Sequence, residues 1–122
     1  MGAMRDLAEH LNDVFRLFGP IEVRRMFGGH GVYRDGLMFG LVSGDTLYLK
    51  ADDRNAADFR QQGLPQFEYS RKGKSARLAY YMAPAEVMDG GEEAARWARR
   101  SFEAALRAAA AAAAAAAKGK TP

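Results

Sequence analysis

Cysteine is absent from the 122-residue chain. Its absence removes disulfides, thiolate metal sites and sulfur redox chemistry apart from methionine oxidation, and fits a cytoplasmic protein. Histidine is almost as scarce. His10 and His30 are the only two, neither has a second ligand at helix or hairpin spacing, and no metal site is expected. No basic start followed by a long apolar run marks a signal peptide. The longest uncharged run, the alanine tract at 108–117, is too short and too weakly hydrophobic to span a bilayer, so a soluble protein with no membrane association is expected. Excess charge is also small. The net charge is +3, and the basic residues are thirteen Arg against five Lys, a bias that points to GC-rich coding and weakens the case for arginines placed on nucleic acid. Such a balance permits an acidic partner and identifies none.

A chain of this length is one domain's worth, enough to bury roughly two thirds of the surface it exposes when unfolded. The stretch 24–50, RRMFGGHGVYRDGLMFGLVSGDTLYLK, organises the rest. Asp35-Gly36 between two apolar runs is a strong hairpin signal, because a two-residue type I′ turn needs φ > 0 twice. That turn sets Tyr33 against Met38, Val32 against Phe39 and Gly31 against Gly40. A three-residue loop at Ser43-Gly44-Asp45 would then oppose Leu41 to Leu47, Phe39 to Leu49 and Gly40 to Tyr48. One face would carry Val32, Leu37, Phe39, Leu41, Leu47 and Leu49. The other would carry Tyr33, Met38, Thr46, Tyr48 and Lys50 around a glycine pair. A two-residue loop would scatter the leucines over both faces.

Around that sheet the periodicity predicts further elements. Met4, Leu7, Ala8, Leu11, Val14, Phe15 and Phe18 recur at helical spacing, and Gly19-Pro20 stops the helix. Residues 21–25 alternate as a first strand, and Met26-Phe27 leads into a glycine bend. Asp52 is a good N-cap for a short helix through Ala56, Ala57, Phe59 and Arg60, closed by Gly63. Two strands, 67–70 and 76–82, flank a basic turn, and Pro84 begins a helical turn. Asp89 and Glu92 have capping-box spacing before a last helix whose face carries Ala94, Ala98, Phe102, Ala105 and Leu106, with Trp97 beside it. The alanine tract should continue that helix and overhang the domain. The organisation expected is a domain at 1–107 and, at 108–122, an alanine-rich helical extension with a flexible end from 118. The plain reading of that extension is low complexity; the functional one is an arm that packs on a second copy as a homodimer.

Little in the chain is arranged for catalysis. The bend Gly28-Gly29-His30-Gly31 precedes a strand, whereas a phosphate loop needs a helix N-terminus. Asp52-Asp53 and Glu92-Glu93 sit at helix starts, where carboxylates suit the macrodipole. No Ser or Thr forms a nucleophile elbow. The chain reads as a non-enzyme without cofactors, with a small-molecule site or enzyme centre at the 28–31 bend as an alternative that requires a real pocket beside His30. The basic turn is a second candidate. Arg71, Lys72, Lys74 and Arg77 lie close together near Tyr69, Tyr80 and Tyr81, and would contact a nucleic-acid backbone. A solvated tip that protects a sheet edge explains the same residues.

The run at 24–50, then Phe67 and Tyr69, the basic turn, Tyr80-Tyr81, Pro84, Asp89 and WARRSFEAAL together resemble the TfoX/Sxy N-terminal domain over residues 4–107. The resemblance implies an α+β, two-layer fold: an antiparallel sheet of five or six strands with helices on one face, akin to the secretion-chaperone-like fold. It also implies a bacterial regulator of natural competence acting with the cyclic-AMP receptor protein, a cytoplasmic role in transcription. Full-length members carry a second, helical domain, whereas only alanine and a short polar end follow the domain at 1–107 here, so a stand-alone copy is expected. The resemblance brings no catalytic residues. A protein-binding module is therefore the leading expectation, with Tyr33, Met38 and Tyr48 as its candidate contact face.

Overall fold

The computed structural model describes residues 3–26 and 28–119, with residues 3–5 and Arg71 described by backbone alone. The expectations on Phe27, on the Met4 and Arg71 side chains and on 120–122 lie outside the described residues. In chain order the elements are α1 (Ala3–Val14), β1 (Glu22–Met26), β2 (Gly29–Arg34), β3 (Leu37–Ser43), β4 (Thr46–Lys50), α2 (Ala56–Gln61), β5 (Gln66–Arg71), β6 (Lys74–Met82), a 3-10 turn (Ala85–Asp89) and α3 (Gly91–Gly119). The strands form one antiparallel sheet in the order β1-β2-β3-β4-β6-β5. The expected α+β architecture is present.

Helices seal one face of this sheet. From α1 and the turn that follows it come Leu11, Val14, Phe15 and Phe18, which meet Val32, Phe39, Leu47 and Leu49 in one core with the buried face of α3. Phe39 lies at the centre of an edge-to-face aromatic cluster, with ring centroids 5.8 Å from Phe15, 5.2 Å from Phe18 and 6.4 Å from Phe102. Such pairs stabilise by about 0.5–1.5 kcal/mol each beyond the area they bury. A second cluster joins α2 to the sheet: the Phe59 ring stacks on Tyr81 at 5.3 Å and packs 5.1 Å from Trp97. Arg34 closes the α1 end, its guanidinium lying 4.5 Å over the Phe18 ring and donating to the Phe18 carbonyl.

The strand registers correct the expected ones. Asp35-Gly36 makes the hairpin turn, with both φ positive, and Tyr33 faces Met38. The ladder then slips: Val32 faces Gly40 and Gly31 faces Leu41, so Phe39 is the extra residue of a bulge and there is no Gly31–Gly40 pair. A bulge leaves two residues opposite one. It sends both Phe39 and Gly40 toward the helices and turns Leu41 to the opposite face. The next turn is the two-residue Gly44-Asp45, not a three-residue loop, with Ser43 facing Thr46, Val42 facing Leu47 and Leu41 facing Tyr48. Leu41 is nonetheless buried, at 4% exposure. Both faces of this sheet carry apolar cover, so the premise that only one face is core does not hold.

Two helix caps also differ. The residue flanking α2 is Asn55, buried, with its carboxamide turned back to the Asp52 N–H and the Lys50 carbonyl. Asp52 instead accepts two hydrogen bonds from the Arg107 guanidinium, at 2.6 and 2.9 Å, and one from the Arg54 N–H. Asp89 ends the 3-10 turn, and Gly90 with φ 77° separates it from α3. Along α3 the buried residues are Ala94, Ala95, Trp97, Ala98, Ser101, Ala104 and Ala105. Leu106, expected on that face, is 46% exposed. The helix continues through the alanine tract for 29 residues in all, about 43 Å at ~1.5 Å per residue, and residues 108–119 are exposed.

Asp52 and Arg107 thus pin the last core turn of α3 to the β4–α2 connection. The Arg107 hydrogen bonds hold the Asp52 carboxyl down at about 2, against an ordinary 3.8. A depressed carboxylate contributes stability above its unfolded-state value and loses it as pH falls through the folded-state one. Asp52→Asn should therefore destabilise the protein by about 1 kcal/mol at neutral pH, after allowance for solvent screening of a partly exposed pair. Urea titrations should show the gap to wild type closing as pH falls from 3.8 through about 2. A gap that stays constant across that window would remove the pair from the fold's pH response.

Candidate functional site

Among the described residues no helix packs on the second face of the sheet, and its side chains are set by strand alternation. Arg24 on β1, Tyr33 on β2, Met38 and Leu41 on β3, Tyr48 and Lys50 on β4, and Tyr80 and Met82 on β6 share it through the pairings Tyr33–Met38, Leu41–Tyr48, Tyr48–Met82 and Lys50–Tyr80. Tyr33, Met38 and Tyr48 are each half-buried. Gly31 seats the first two. A Cβ built there would lie 2.7 Å from Tyr33 Cε1, 2.8 Å from Met38 Sδ and 3.2 Å from Met26 Sδ. The notch left by the missing side chain is therefore filled by the tips of Tyr33, Met38 and Met26, with the Arg24 guanidinium 4.5 Å over the Tyr33 ring. Tyr48 does not lie over this notch. It meets Phe67 edge-on, 4.9 Å between centroids.

That contact shows where the last hairpin goes. β6 pairs with β4 only from Tyr80 to Met82, and the β5–β6 ladder slips between Gln66 and Glu68. Beyond the irregularity the hairpin arches over the helix-free face. A cleft of about 320 Å³ lies between them, lined by Met26, Gly28, Gly29, His30, Leu41, Val42 and Ser43 from the sheet and by Phe67, Tyr69 and Leu78 from the hairpin. Of the large apolar side chains left exposed, Met26 (43%), Leu78 (40%) and Tyr69 (38%) all line it. Beside the cleft Tyr80 is 7% exposed, with Lys50 Nζ 5.0 Å from its ring centre. Burial pushes its hydroxyl up to about 12, with a smaller contribution from Tyr33.

The basic turn folds as the two-residue turn Lys72-Gly73, with φ values of 54° and 77°. Its register opposes Arg71 to Lys74 and Glu68 to Arg77. Arg77 Nε donates to Glu68 Oε2 at 3.1 Å, so that charge is already matched. Lys72 and Lys74 are exposed and ion-paired to no carboxylate among the described residues. The structure thus separates Arg77 from Lys72 and Lys74. A two-residue turn read at Lys72-Gly73 would have shown Glu68 facing Arg77 from sequence alone.

His30 lies in the wall of this cleft and also borders a second hollow with Leu7, His10, Leu11 and Asp45. No group of three or more His, Asp or Glu converges among the described residues, and no helix among them is long and apolar enough to cross a membrane. Sequence reasoning missed Met26, Leu41, Phe67, Tyr69 and Leu78 as parts of one site. The signal existed in two places, the i, i+2 aromatics at Phe67 and Tyr69 and the alternation Leu78, Tyr80, Met82. What the arrangement offers chemically is apolar contact, with Ser43 and the backbone of the 28–30 segment at its wall, since the register turns the His30 side chain to the helix face with Val42 and Leu47.

One antiparallel sheet, sealed by helices on one side and half-roofed by its own last hairpin on the other, defines an α+β module with an apolar cleft on its free face. The family model for the TfoX N-terminal domain matches residues 13–105, and the chain belongs to that family. It is 30% identical over 78 residues to the DNA transformation protein TfoX1 of Aliivibrio fischeri, covering 64% of this chain and 37% of the relative. It is 29% identical over 89 residues to the protein Sxy of Escherichia coli, covering 73% of this chain and 43% of the relative. The chain thus spans about two fifths of the length of these curated relatives.

Proposed function

We propose that this chain is a non-enzymatic interaction module of a bacterial competence-type regulator, cytoplasmic, acting through a protein partner seated on the helix-free sheet face. The observation that carries the reading is that face itself, where Tyr33, Met38 and Tyr48 are half-buried and Met26, Tyr69 and Leu78 remain open to solvent around one cleft. Exposed apolar side chains gathered in one place mark an interaction surface more often than scattered ones do. One relative's name, DNA transformation protein, supports the process. A regulator of the cyclic-AMP receptor protein type is the partner that the family resemblance favours. The folded unit would end near residue 107, with the exposed helix beyond it as an extension.

Capture of partners by the intact chain from bacterial extract, with and without nuclease, tests this reading. A protein retained in both arms and lost with a Tyr33→Ser, Tyr48→Ser double variant of unchanged melting temperature is the expected result. Retention that vanishes after nuclease would favour nucleic acid at Lys72 and Lys74 instead. A second reading, a small-molecule site beside the 28–31 bend, is favoured by one observation: the surface next to His30 is a cleft and not flat. Failure to capture any protein, together with saturable uptake of a small apolar compound, would promote it.

A further inference from the structure

The cleft under the β5–β6 hairpin carries more chemical information than a bare apolar patch. Its volume, about 320 Å³, lies at the lower end of the range for ligand pockets, ~300–1,000 Å³. That suits an anchoring side chain or two better than a large enclosed ligand. Its open walls are Met26 and Leu78, and flexible thioether and branched aliphatic groups adapt to varied apolar partners. No acidic residue lines it among the described residues. Glu68, the nearest carboxylate on the hairpin, is taken by Arg77. Lys72 and Lys74 stand close by, ion-paired to no carboxylate among the described residues. Tyr69 pairs with Ala76 and Arg71 with Lys74, so the cationic tip begins two ladder positions from the cleft wall, about 7 Å at ~3.3 Å per residue.

Resting on the protein-docking reading above, we propose that this cleft receives an acidic, apolar-anchored segment of the partner. Aliphatic or aromatic side chains fill the space between Met26, Leu41 and Leu78. A carboxylate cluster on one side of these anchors reaches Lys72 and Lys74. Charge complementarity selects the segment and steers its approach, while the apolar anchors supply most of the retention. A nucleic-acid strand fits the cleft less well. Of the two aromatic rings that the hairpin brings to it, Phe67 is already engaged with Tyr48, 4.9 Å between centroids at 64°, so the cleft is a poor stacking platform for successive bases.

The test titrates the intact chain, followed by NMR of the methionine methyl, leucine methyl and tyrosine ring signals. The probe is a capped peptide carrying a leucine pair followed by a run of glutamates. Its controls are the same peptide with glutamines, the same with lysines, an oligodeoxythymidine and decanoate. The expected result is that the glutamate peptide shifts Met26, Leu78 and Tyr69, and binds about five- to tenfold more tightly than the glutamine peptide, the gain that two exposed ion pairs supply. The lysine peptide should be weaker still. Lys72→Gln with Lys74→Gln should erase the glutamate advantage and leave glutamine-peptide binding intact, and Leu78→Ser should weaken both peptides. Leu78 is exposed enough for that variant to fold, which its melting temperature checks.

Equal binding of the glutamate and glutamine peptides overturns the acidic segment while leaving protein docking standing. Peptide binding that leaves Met26 and Leu78 unmoved overturns the cleft as its seat. Oligodeoxythymidine moving the same signals with a steep salt dependence replaces the peptide with nucleic acid. Decanoate binding as tightly as the glutamate peptide reduces the cleft to a site for small amphiphiles. Failure of the parent reading is seen separately, as the absence of any captured protein in the extract experiment.

Discussion

Gly29→Ala should cost this protein about 3 kcal/mol or more and lower its melting temperature by roughly 10 °C, the largest loss expected from adding a single methyl group. Gly29 sits at the start of β2, between Met26 of β1 and Ser43 of β3. A Cβ built there would lie 1.9 Å from the Val42 carbonyl oxygen and 3.0 Å from its carbon. Those atoms belong to the backbone of a paired strand, so relief requires β3 to move, and β3 also carries Phe39 in the core. Gly31→Ala is the informative control. Its Cβ would meet only the side-chain tips of Tyr33, Met38 and Met26, two of which are flexible thioethers. A cost of about 1–2 kcal/mol is expected there, by displacement of those tips. Chemical denaturation of both variants decides the matter. Equal costs, or a Gly29→Ala loss below 1 kcal/mol, would mean that β2 and β3 do not approach so closely. Because Gly31 seats Tyr33 and Met38, its variant should also disturb the candidate contact face while Gly29→Ala acts on the fold.

Phe39→Ala should cost about 3–5 kcal/mol, the range for removing a large buried aromatic and leaving a cavity. Phe39 is fully buried, at 0% exposure, and three other phenylalanine rings close around it. They come from the turn that follows α1 and from α3, so the cavity would lie where both helices meet the sheet. Against a total stability of about 5–15 kcal/mol for a domain, such a loss brings the variant near its unfolding threshold. Phe39→Leu should lose markedly less, because most of the volume remains. Met38→Ala, one residue away but on the opposite face, should cost under 2 kcal/mol and report on partner binding instead. Urea unfolding of the three variants is a direct reading of the bulge. A Met38→Ala cost equal to that of Phe39→Ala would reverse the assignment of faces.

The bulge at Phe39 marks the limit of what local pattern carries. Asp35-Gly36 dictates a tight turn, since the backbone there needs two positive φ values, and both residues have them. The apolar spacing of Leu11, Val14, Phe15 and Phe18 dictates a helix with one buried stripe, and Gly19 ends its last turn. The first pairs of the hairpin, Arg34–Leu37 and Tyr33–Met38, follow from the turn alone. From the next residue on, the register is set by whether Phe39 can reach the ring cluster of Phe15, Phe18 and Phe102. Those residues are distant in sequence, and no spacing rule contains them. The same holds for Asp52. Its composition suits a helix cap, but a bidentate guanidinium from Arg107, brought in by the docking of α3, outcompetes that role.

The candidate site divides along the same line. The basic turn was legible only as a cluster of charge between two strands; its closure at Lys72-Gly73, which sets Glu68 opposite Arg77, is a property of the folded hairpin. The cleft was not legible. Met26 and Leu78 come from strands near opposite edges of the sheet and meet only because the hairpin bends over the helix-free face at its ladder irregularity. By itself the sequence determined the element types, the tight turn at Asp35-Gly36, the absence of cysteine chemistry and the family resemblance, each a matter of residues within a few positions or of motif order. Only the tertiary structure decided the bulge, the second apolar face and the cleft upon it. Side chains far apart in the chain compete there for the same buried volume, and the outcome depends on packing that no local pattern records.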